Sequence, residues 1–347
     1  MSRFRTSYPL LVAALAVAAG LSAAATTAPA TAATTTYTIT DLGSLGAGVA
    51  HGLAINASGQ VTGDSVLSKQ VQVPCPPQKY GGPQKCFTNP DHAFLWSNGT
   101  MTDLGTLGNG LDSQGVAIND SGQVVGPSSG SFPGNPFLTN GRGKQMIALR
   151  PTTMSQARGI NDSGQVAGQC GYVVAPEFNP CVVSNGTATI LPDCANGIAV
   201  AINNSGQVLG NCGDNDALAV VWTNDTPTVL GTLGGAAAHP TAINSMGQVV
   251  GTSETSAGAL DGSLWSNGTV TDLGSNFSPA AINDSGVIVG GSEIYSGGTL
   301  LNLNNLIPAG SGYQIQSATG INDSGQIVAN AIDTATNQIH ALLLTPS

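Results

Sequence analysis

Few side chains in this sequence are both chemically able to bind a ligand and placed at a recurring position. His51 and His239 each lie four residues before an Ile-Asn pair, and Arg158 lies two residues before another such pair. An imidazole can bind a metal or a polar ligand, and a guanidinium can bind a carboxylate or phosphate. Asp214 and Asp216 form an acidic segment elsewhere in the chain. We therefore predict these five residues as a candidate ligand-binding set.

Catalytic motifs are missing from the sequence. Only three glutamates occur, Glu177, Glu254 and Glu293, and no glycosidase-type pair of carboxylates stands out. The chain has no His-Glu-x-x-His and no glycine-rich phosphate loop. We predict no catalytic residue and no cofactor, and we leave open an active site assembled from distant parts of the chain.

A recurring Asn-Asp-Ser-Gly phrase offers oxygen ligands of the kind that calcium binds. Its aspartates are Asp120, Asp162, Asp284 and Asp323. Three other copies carry Ala57, Asn204 or Ser245 at that position and keep the Asn before it and the Gly two residues after it. Because Asn and Asp side chains in tight turns commonly bond their own backbone, we interpret the phrase as a turn and predict no metal site. Calcium binding is the alternative.

The chain begins with the layout of a secretory signal peptide over residues 1–33. Arg3 and Arg5 precede an apolar run from Leu10 to Leu21, which is shorter than the roughly 20 residues that cross a bilayer. We expect a secreted, extracellular protein without membrane insertion. After Arg3 and Arg5 are removed, seven Lys and Arg stand against 19 Asp and Glu. This acidic balance argues against nucleic acid as a partner.

The six cysteines form an even number, which is typical of disulfides in an exported protein. Sequence neighbours are the expected partners, which gives Cys75–Cys86, Cys170–Cys181 and Cys194–Cys212. The last pair flanks a predicted hairpin centred near Asn204, which would bring the two Cα atoms within the roughly 4.4–6.8 Å that a disulfide requires.

One phrase of the type Ile-Asn-Asp-Ser-Gly-Gln-Val occurs seven times. Its first residues are Ile55, Ile118, Ile160, Ile202, Ile243, Ile282 and Ile321. Successive copies are 39 to 42 residues apart except for one interval of 63, and a period of about 40 is typical of propeller blades. A second phrase with a Ser-Asn-Gly turn, clearest at 93–108, adds another hairpin to each repeat. The sequence therefore predicts an all-β, seven-bladed β-propeller with four antiparallel strands per blade.

The residue types also predict the order of the strands. Small residues such as Gly52, Ala117 and Gly159 precede the Ile-Asn pairs, so we assign this strand to the crowded axis. Gln-Val-Val-Gly then forms the second strand, Phe-Leu-Trp the third and Thr-x-Thr-Asp-Leu-Gly the outermost. An outermost-strand phrase at 37–43 and a third-strand phrase at 340–344 should complete one shared blade and close the ring. The propeller domain then spans 37–345, with an insertion at about 64–91.

This order places the tight turns at one end of the propeller, the turn end. The connections after the second and fourth strands lie at the opposite end, which we call the variable end. The variable end carries the insertion, the Cys170–Cys181 segment and Asp214 to Asp216, and we expect His51, His239 and Arg158 near the channel mouth there. Binding commonly resides in loops on a rigid scaffold, so we predict function at this end. The alternative is that these loops differ only in length.

The segment from His92 to Gly108, followed by Ala117 to Gly126, resembles the bacterial extracellular HAF repeat proteins, which are named after a His-Ala-Phe tripeptide. The resemblance extends over about residues 37–345. It implies export and a repeat architecture and supplies no catalytic residue. The tripeptide is intact at 92–94, and His340-Ala-Leu342 is the nearest second copy, so we expect it to pack rather than react.

Taken with the composition, these features predict a secreted, monomeric, non-catalytic module that binds an extracellular glycan or protein. Two alternatives stay open. One is a structural or cell-surface matrix protein, and the other is a secreted carbohydrate-active hydrolase or lyase.

Overall fold

Each repeat phrase forms a hairpin between the first and second strands of a four-stranded sheet. The computed structural model describes residues 35–73, 86–129, 135–140, 145–149, 154–171, 178–213 and 217–347. These residues belong to one compact unit, Thr35–Ser347. The predicted signal segment, Cys75, Asp214 and Asp216 lie outside the described residues.

The described residues form seven antiparallel sheets of four strands, as predicted. Blade 1 contains β2 (Gly46–Ile55), β3 (Val61–Leu67), β6 (Asp91–Ser97) and β7 (Thr100–Gly105). Blade 2 contains β8 (Ala117–Ile118), β9 (Val124–Ser128), β10 (Asn135–Thr139) and β11 (Met146–Ala148). Blade 3 contains β12 (Met154–Ile160), β13 (Val166–Gly171), β14 (Phe178–Ser184) and β15 (Thr187–Ile190). Blade 4 contains β16 (Ile198–Ile202), β17 (Val208–Cys212), β18 (Leu218–Thr223) and β19 (Thr226–Val229).

The remaining blades follow the same order. Blade 5 contains β20 (Gly234–Ile243), β21 (Val249–Thr255), β22 (Leu260–Ser266) and β23 (Thr269–Gly274). Blade 6 contains β24 (Ala281–Ile282), β25 (Ile288–Gly290), β26 (Glu293–Ser296) and β27 (Thr299–Asn302), followed by a 3₁₀ turn at Leu303–Asn305. Blade 7 contains β28 (Tyr313–Ile321), β29 (Ile327–Asp333), β30 (Ile339–Pro346) and β1 (Tyr37–Asp41).

The first strand of every blade contacts the first strands of both neighbouring blades, so these seven strands form a closed ring around the axis. This arrangement confirms the predicted strand order. Small residues are needed there because the blades approach closely. A Cβ atom on Gly52 would lie only 2.5 Å from Cγ1 of Val328 in blade 7.

The hydrophobic core lies between the blades. Val61 and Phe94 of blade 1, for example, pack against Val328 and Leu343 of blade 7. The second and third strands are covered on both faces, and their residues are therefore apolar in continuous runs, as in the buried pattern of β6.

The chain ends close the ring as predicted. β1 pairs antiparallel with β30, from Tyr37 opposite Pro346 to Asp41 opposite Leu342. The N-terminal strand is thus the outermost strand of blade 7, and it covers an edge of β30 that would otherwise be unpaired.

Two of the predicted disulfides are present. Cys170 and Cys181 join β13 to β14 with a Cα–Cα distance of 5.8 Å. Cys194 and Cys212 flank the first hairpin of blade 4, with a Cα–Cα distance of 5.3 Å. The predicted Cys75–Cys86 pair involves a residue outside the described part of the chain.

The insertion lies in blade 1 and is narrower than the predicted 64–91. β3 continues to Leu67 and β6 begins at Asp91, so only 68–90 lie between the blade strands. Its described residues include a two-stranded hairpin of β4 (Val71–Val73) and β5 (Cys86–Thr88).

Candidate functional site

At the turn end, the seven asparagines of the Ile-Asn pairs join neighbouring blades. Each Nδ2 donates a hydrogen bond to the backbone oxygen of the corresponding asparagine in the next blade, at 3.0–3.2 Å. The asparagines are Asn56, Asn119, Asn161, Asn203, Asn244, Asn283 and Asn322. The last of them donates to the first, so the hydrogen bonds form a closed ring of seven.

The same asparagines also hold their own turns, as Asn161 illustrates. Its Oδ1 accepts the backbone N–H of Gln165 at 3.0 Å, and its Nδ2 donates to Oε1 of Gln165 at 2.8 Å. The interpretation of the phrase as turn chemistry is therefore confirmed for the asparagine.

The aspartate after the ring asparagine was expected to bond the backbone of its own turn, but it bonds the turn of the preceding blade. Oδ1 of Asp162 accepts the backbone N–H of Asp120 in the preceding blade at 2.8 Å. The same contact from one blade to the next recurs at Asp120, Asp284 and Asp323. The aspartates thus link the turns of adjacent blades.

These aspartates and the ring asparagines line a cavity of about 210 Å³ at the turn end of the axis. No group of three or more His, Cys, Asp or Glu side chains in the described ranges is arranged to hold a metal ion.

Of the predicted ligand-binding residues, His51 lies in the most distinctive surroundings. Its Nδ1 is 2.9 Å from Oδ2 of Asp64 on the second strand, and Nε2 of Gln114 in blade 2 donates to Oδ1 of Asp64 at 2.8 Å. The hydrogen bond to Asp64 raises the pKa of His51, while burial acts in the opposite direction. The Asp64 side chain is only 9% exposed, so this carboxylate mainly joins blade 1 to blade 2.

Asp91 lies on the same face of blade 1 as Asp64, since Asp64 is opposite Ala93 and Asp91 is opposite Val66. Burial, followed by the negative charges of Asp64 and Asp112, raises the pKa of Asp91. Its Oδ1 is buried and has no hydrogen-bond partner within the described residues.

This acid pair was missed in the sequence, although a signal was present. Asp64 breaks the repeat, because the equivalent second-strand positions of blades 3 and 7 carry Gln169 and Asn330. Those side chains also reach the next blade, where Gln169 Nε2 donates to the backbone oxygen of Gly197 and Asn330 Nδ2 donates to that of Gly52. In blades 1, 3 and 7 the side chain at this position therefore links neighbouring blades, and Asp64 is the charged example.

The other predicted residues are not brought together with His51. Arg158 is exposed on β12, and its Nη2 donates to Oε1 of Gln156 at 2.7 Å. His239 lies on β20 at the position equivalent to His51, opposite Thr252 instead of an acid. No hydrogen bond within the described residues joins the side chains of His51, Arg158 and His239 to one another.

The histidines of the His-Ala-Phe phrases are held by the outermost strands. His92 Nδ1 lies 2.8 Å from Oδ1 of Asp103, and His340 Nδ1 lies 2.8 Å from Oδ2 of Asp41. Burial alone would raise the pKa of both carboxyls, but their hydrogen bonds to these histidines and to Gly105 and Gly43 N–H outweigh it and lower the pKa. The expected packing role of the tripeptide agrees with this geometry.

The variable end differs from the turn end in the apolar side chains that it exposes. Phe87 is 55% exposed in the insertion, and Phe178 is 37% exposed at the start of β14. Other exposed apolar residues at this end are Leu111, Leu218, Leu260 and Ile339. Met246 is the exposed large apolar residue in the described turns of the opposite end.

Strand order, ring closure and blade composition define the protein as a seven-bladed β-propeller. No protein-family model matches the chain, and no curated protein sequence matches it. Among solved structures, YCF48 bound to a D1 peptide is similar at 12% identity over 90% of this chain and 97% of that chain, with a TM-score of 0.53. The propeller domain of the Trilobed protease from Pyrococcus furiosus, described as having an open velcro topology, matches at 9% identity over 86% and 97%, with a TM-score of 0.51.

A third similar structure is TolB from Acinetobacter baumannii, at 10% identity and a TM-score of 0.44 over 74% of this chain. This chain spans 60% of the length of that TolB chain. Similarity at these identities shows the fold alone.

Proposed function

We propose that this protein is a secreted, non-catalytic binding module that recognises an extracellular glycan or protein through the variable end of the propeller. The observation that carries the proposal is the placement of exposed apolar side chains. Phe87, Phe178 and Leu260 lie on different blades but at the same end, where the repeats are least alike.

Water contact with these side chains is unfavourable, and a partner that covers them would remove that cost. The two phenylalanines are the strongest candidates, since aromatic side chains supply large contact areas at binding surfaces. Phe87 belongs to the insertion hairpin, which lies outside the common repeat, and Phe178 begins β14 inside the segment that the Cys170–Cys181 disulfide closes.

The covalent structure fits an exported protein. The two disulfides are typical of the extracellular space or the periplasm, and the signal-like segment 1–33 and the resemblance to HAF repeat proteins support the same location. No helix in the described residues is long and apolar enough to cross a membrane.

The proposal is tested with the chain lacking residues 1–33, applied to a glycan microarray and to immobilised proteins of an extracellular fraction. Once a ligand is found, Phe87→Ala and Phe178→Ala should each weaken binding by about 1–3 kcal/mol, as expected for interface anchors. Matched controls are Ile190→Ala and Val229→Ala, which remove exposed apolar side chains from outermost strands and should leave binding unchanged.

Two outcomes would contradict the proposal. Binding that survives both phenylalanine changes would remove the variable end as the contact surface. Binding that is lost on changing Met246 at the turn end would reverse the assignment of the two ends.

A further inference from the structure

A second feature of the variable end is a cleft in blade 7 of about 530 Å³. This volume lies within the range of small-ligand pockets, about 300–1,000 Å³. The connection from the 3₁₀ turn to β28 forms most of its wall. The residues used below are Asn304, Ile307, Pro308, Ser311, Tyr313 and Gln314.

Tyr313 is held in place by both ends of the chain. Its hydroxyl donates to Oδ2 of Asp41 on β1 at 2.9 Å, and the same oxygen is 2.8 Å from Nδ1 of His340 on β30. The rings of Tyr313 and His340 contact each other with centroids 5.8 Å apart and planes tilted by 55°. With its hydroxyl engaged, Tyr313 offers the cleft an aromatic surface rather than a free donor.

The cleft wall is formed before any ligand arrives. Asn304 Oδ1 accepts the backbone N–H of Ile315 at 2.8 Å, and its Nδ2 donates to the Ile315 backbone oxygen at 3.1 Å. Thr334 donates to the backbone oxygen of Gly312 through both its N–H and its hydroxyl, at 2.9 and 3.0 Å. A wall fixed in this way lowers the ordering cost of binding.

The chemistry of the wall points to an uncharged ligand with hydroxyl groups. None of the lining residues carries a charge, and their apolar surfaces alternate with amide and hydroxyl groups. The Gln314 side chain is exposed and has no hydrogen-bond partner in the described chain, so its amide is available to a ligand. Burial and then the neighbouring Asp41 and Asp333 raise the pKa of Tyr313 to about 12, and the same two carboxylates disfavour an anionic ligand beside this ring.

We infer that the blade 7 cleft binds a neutral sugar unit of an extracellular glycan, with the Tyr313 ring contacting a face of the sugar and Gln314 bonding its hydroxyl groups. This inference rests on the proposed binding function of the variable end and names its ligand class. The apolar side chain of a protein partner fits less well, because it would leave the polar half of the wall unpaired.

The test uses the chain lacking residues 1–33 and saturation-transfer NMR with glucose, galactose, mannose and N-acetylglucosamine, each offered separately. At least one sugar should receive saturation, and Gln314→Ala should weaken its binding about fivefold or more, the effect of losing roughly one hydrogen bond. Gln316→Ala is the matched control, since Gln316 is exposed on the same strand and does not line the cleft. Tyr313→Phe keeps the ring and should keep most of the binding, whereas Tyr313→Ala should abolish it.

If Tyr313→Ala does not fold, judged by its circular dichroism, the comparison of Gln314→Ala with Gln316→Ala decides the result. The inference is overturned if none of the four sugars binds, if Gln314→Ala binds as well as wild type, or if glucuronate binds as tightly as glucose. Sugar binding that depends on Gln314 but not on Phe87 or Phe178 would support the cleft and contradict the proposed anchors. Binding of a partner that depends on Phe87 and Phe178, without binding of any sugar, would support the proposed anchors and overturn the sugar site in the cleft.

Discussion

The two ends of this propeller are built from the same seven repeats but are stabilised in different ways. At the turn end, every blade contributes an asparagine to one closed ring of hydrogen bonds. In most blades the residue directly after this asparagine forms a second hydrogen bond to the turn of the neighbouring blade. At the variable end, each connection has its own length, disulfide or exposed apolar side chain. The turn end is uniform because each of its turns supplies a hydrogen bond to the asparagine ring. The loops of the variable end take no part in that ring, so they can differ from blade to blade.

We expect the largest effect from a change in blade 7, where β1 pairs with β30 and closes the ring. Deleting residues 37–43 removes β1, exposes the edge of β30 and takes away the buried Tyr37 and the Asp41 carboxylate that holds Tyr313. We expect the free energy of unfolding to fall by more than about 3 kcal/mol, from lost burial and hydrogen bonds, with lower solubility. Calorimetry against the chain lacking only residues 1–33 measures the change, and equal melting temperatures would show that closure does not stabilise the ring.

A change within the turn end should have the next largest effect. Asn161→Ala removes two donated hydrogen bonds and one accepted bond at a buried position, and we expect a loss of about 2–4 kcal/mol in urea denaturation. Asp162→Ala, in the same turn but exposed, should cost only about 0.5–1.5 kcal/mol.

Neither substitution should alter ligand binding at the variable end. Equal costs for the two variants would mean that the asparagine ring is no more important than the exposed aspartate links.

The smallest effect concerns the acid cluster of blade 1 and depends on pH. Because the folded chain holds the Asp91 proton more tightly than the unfolded chain does, stability falls as the pH rises from the unfolded value of about 3.9 through the higher folded pKa. His51, whose pKa is also raised, acts in the same direction, since its stabilisation is complete below about 6.5 and is lost as the pH rises through its folded pKa.

Asp91→Asn should therefore melt at a higher temperature than wild type at neutral pH, and the difference should disappear as the pH falls toward about 4. Asp225→Asn changes an exposed turn residue far along the chain and serves as the control. A melting temperature for Asp91→Asn that is below that of wild type at neutral pH would show that the Asp91 carboxylate stabilises blade 1 instead.

Much of this architecture was predictable because it depends on local patterns that recur. The Ile-Asn phrases fixed the number of blades, the turn residues fixed the hairpins, and the phrase at 37–43 predicted closure with β30. The pairing of Cys194 with Cys212 was predicted because the two cysteines are sequence neighbours that flank a hairpin.

The contacts between blades depend on the tertiary structure, since they join residues about 40 positions apart or at opposite ends of the chain. The sequence identified Asn161 as a turn residue, but only the ring of blades makes it a donor to Asn203. Likewise, the sequence placed Asp41 and His340 in one blade, but only the tertiary structure shows that Tyr313 of β28 bonds the same Asp41 carboxylate. Strand type and turn type are set by neighbours along the chain, whereas a site between blades exists only after the ring has closed.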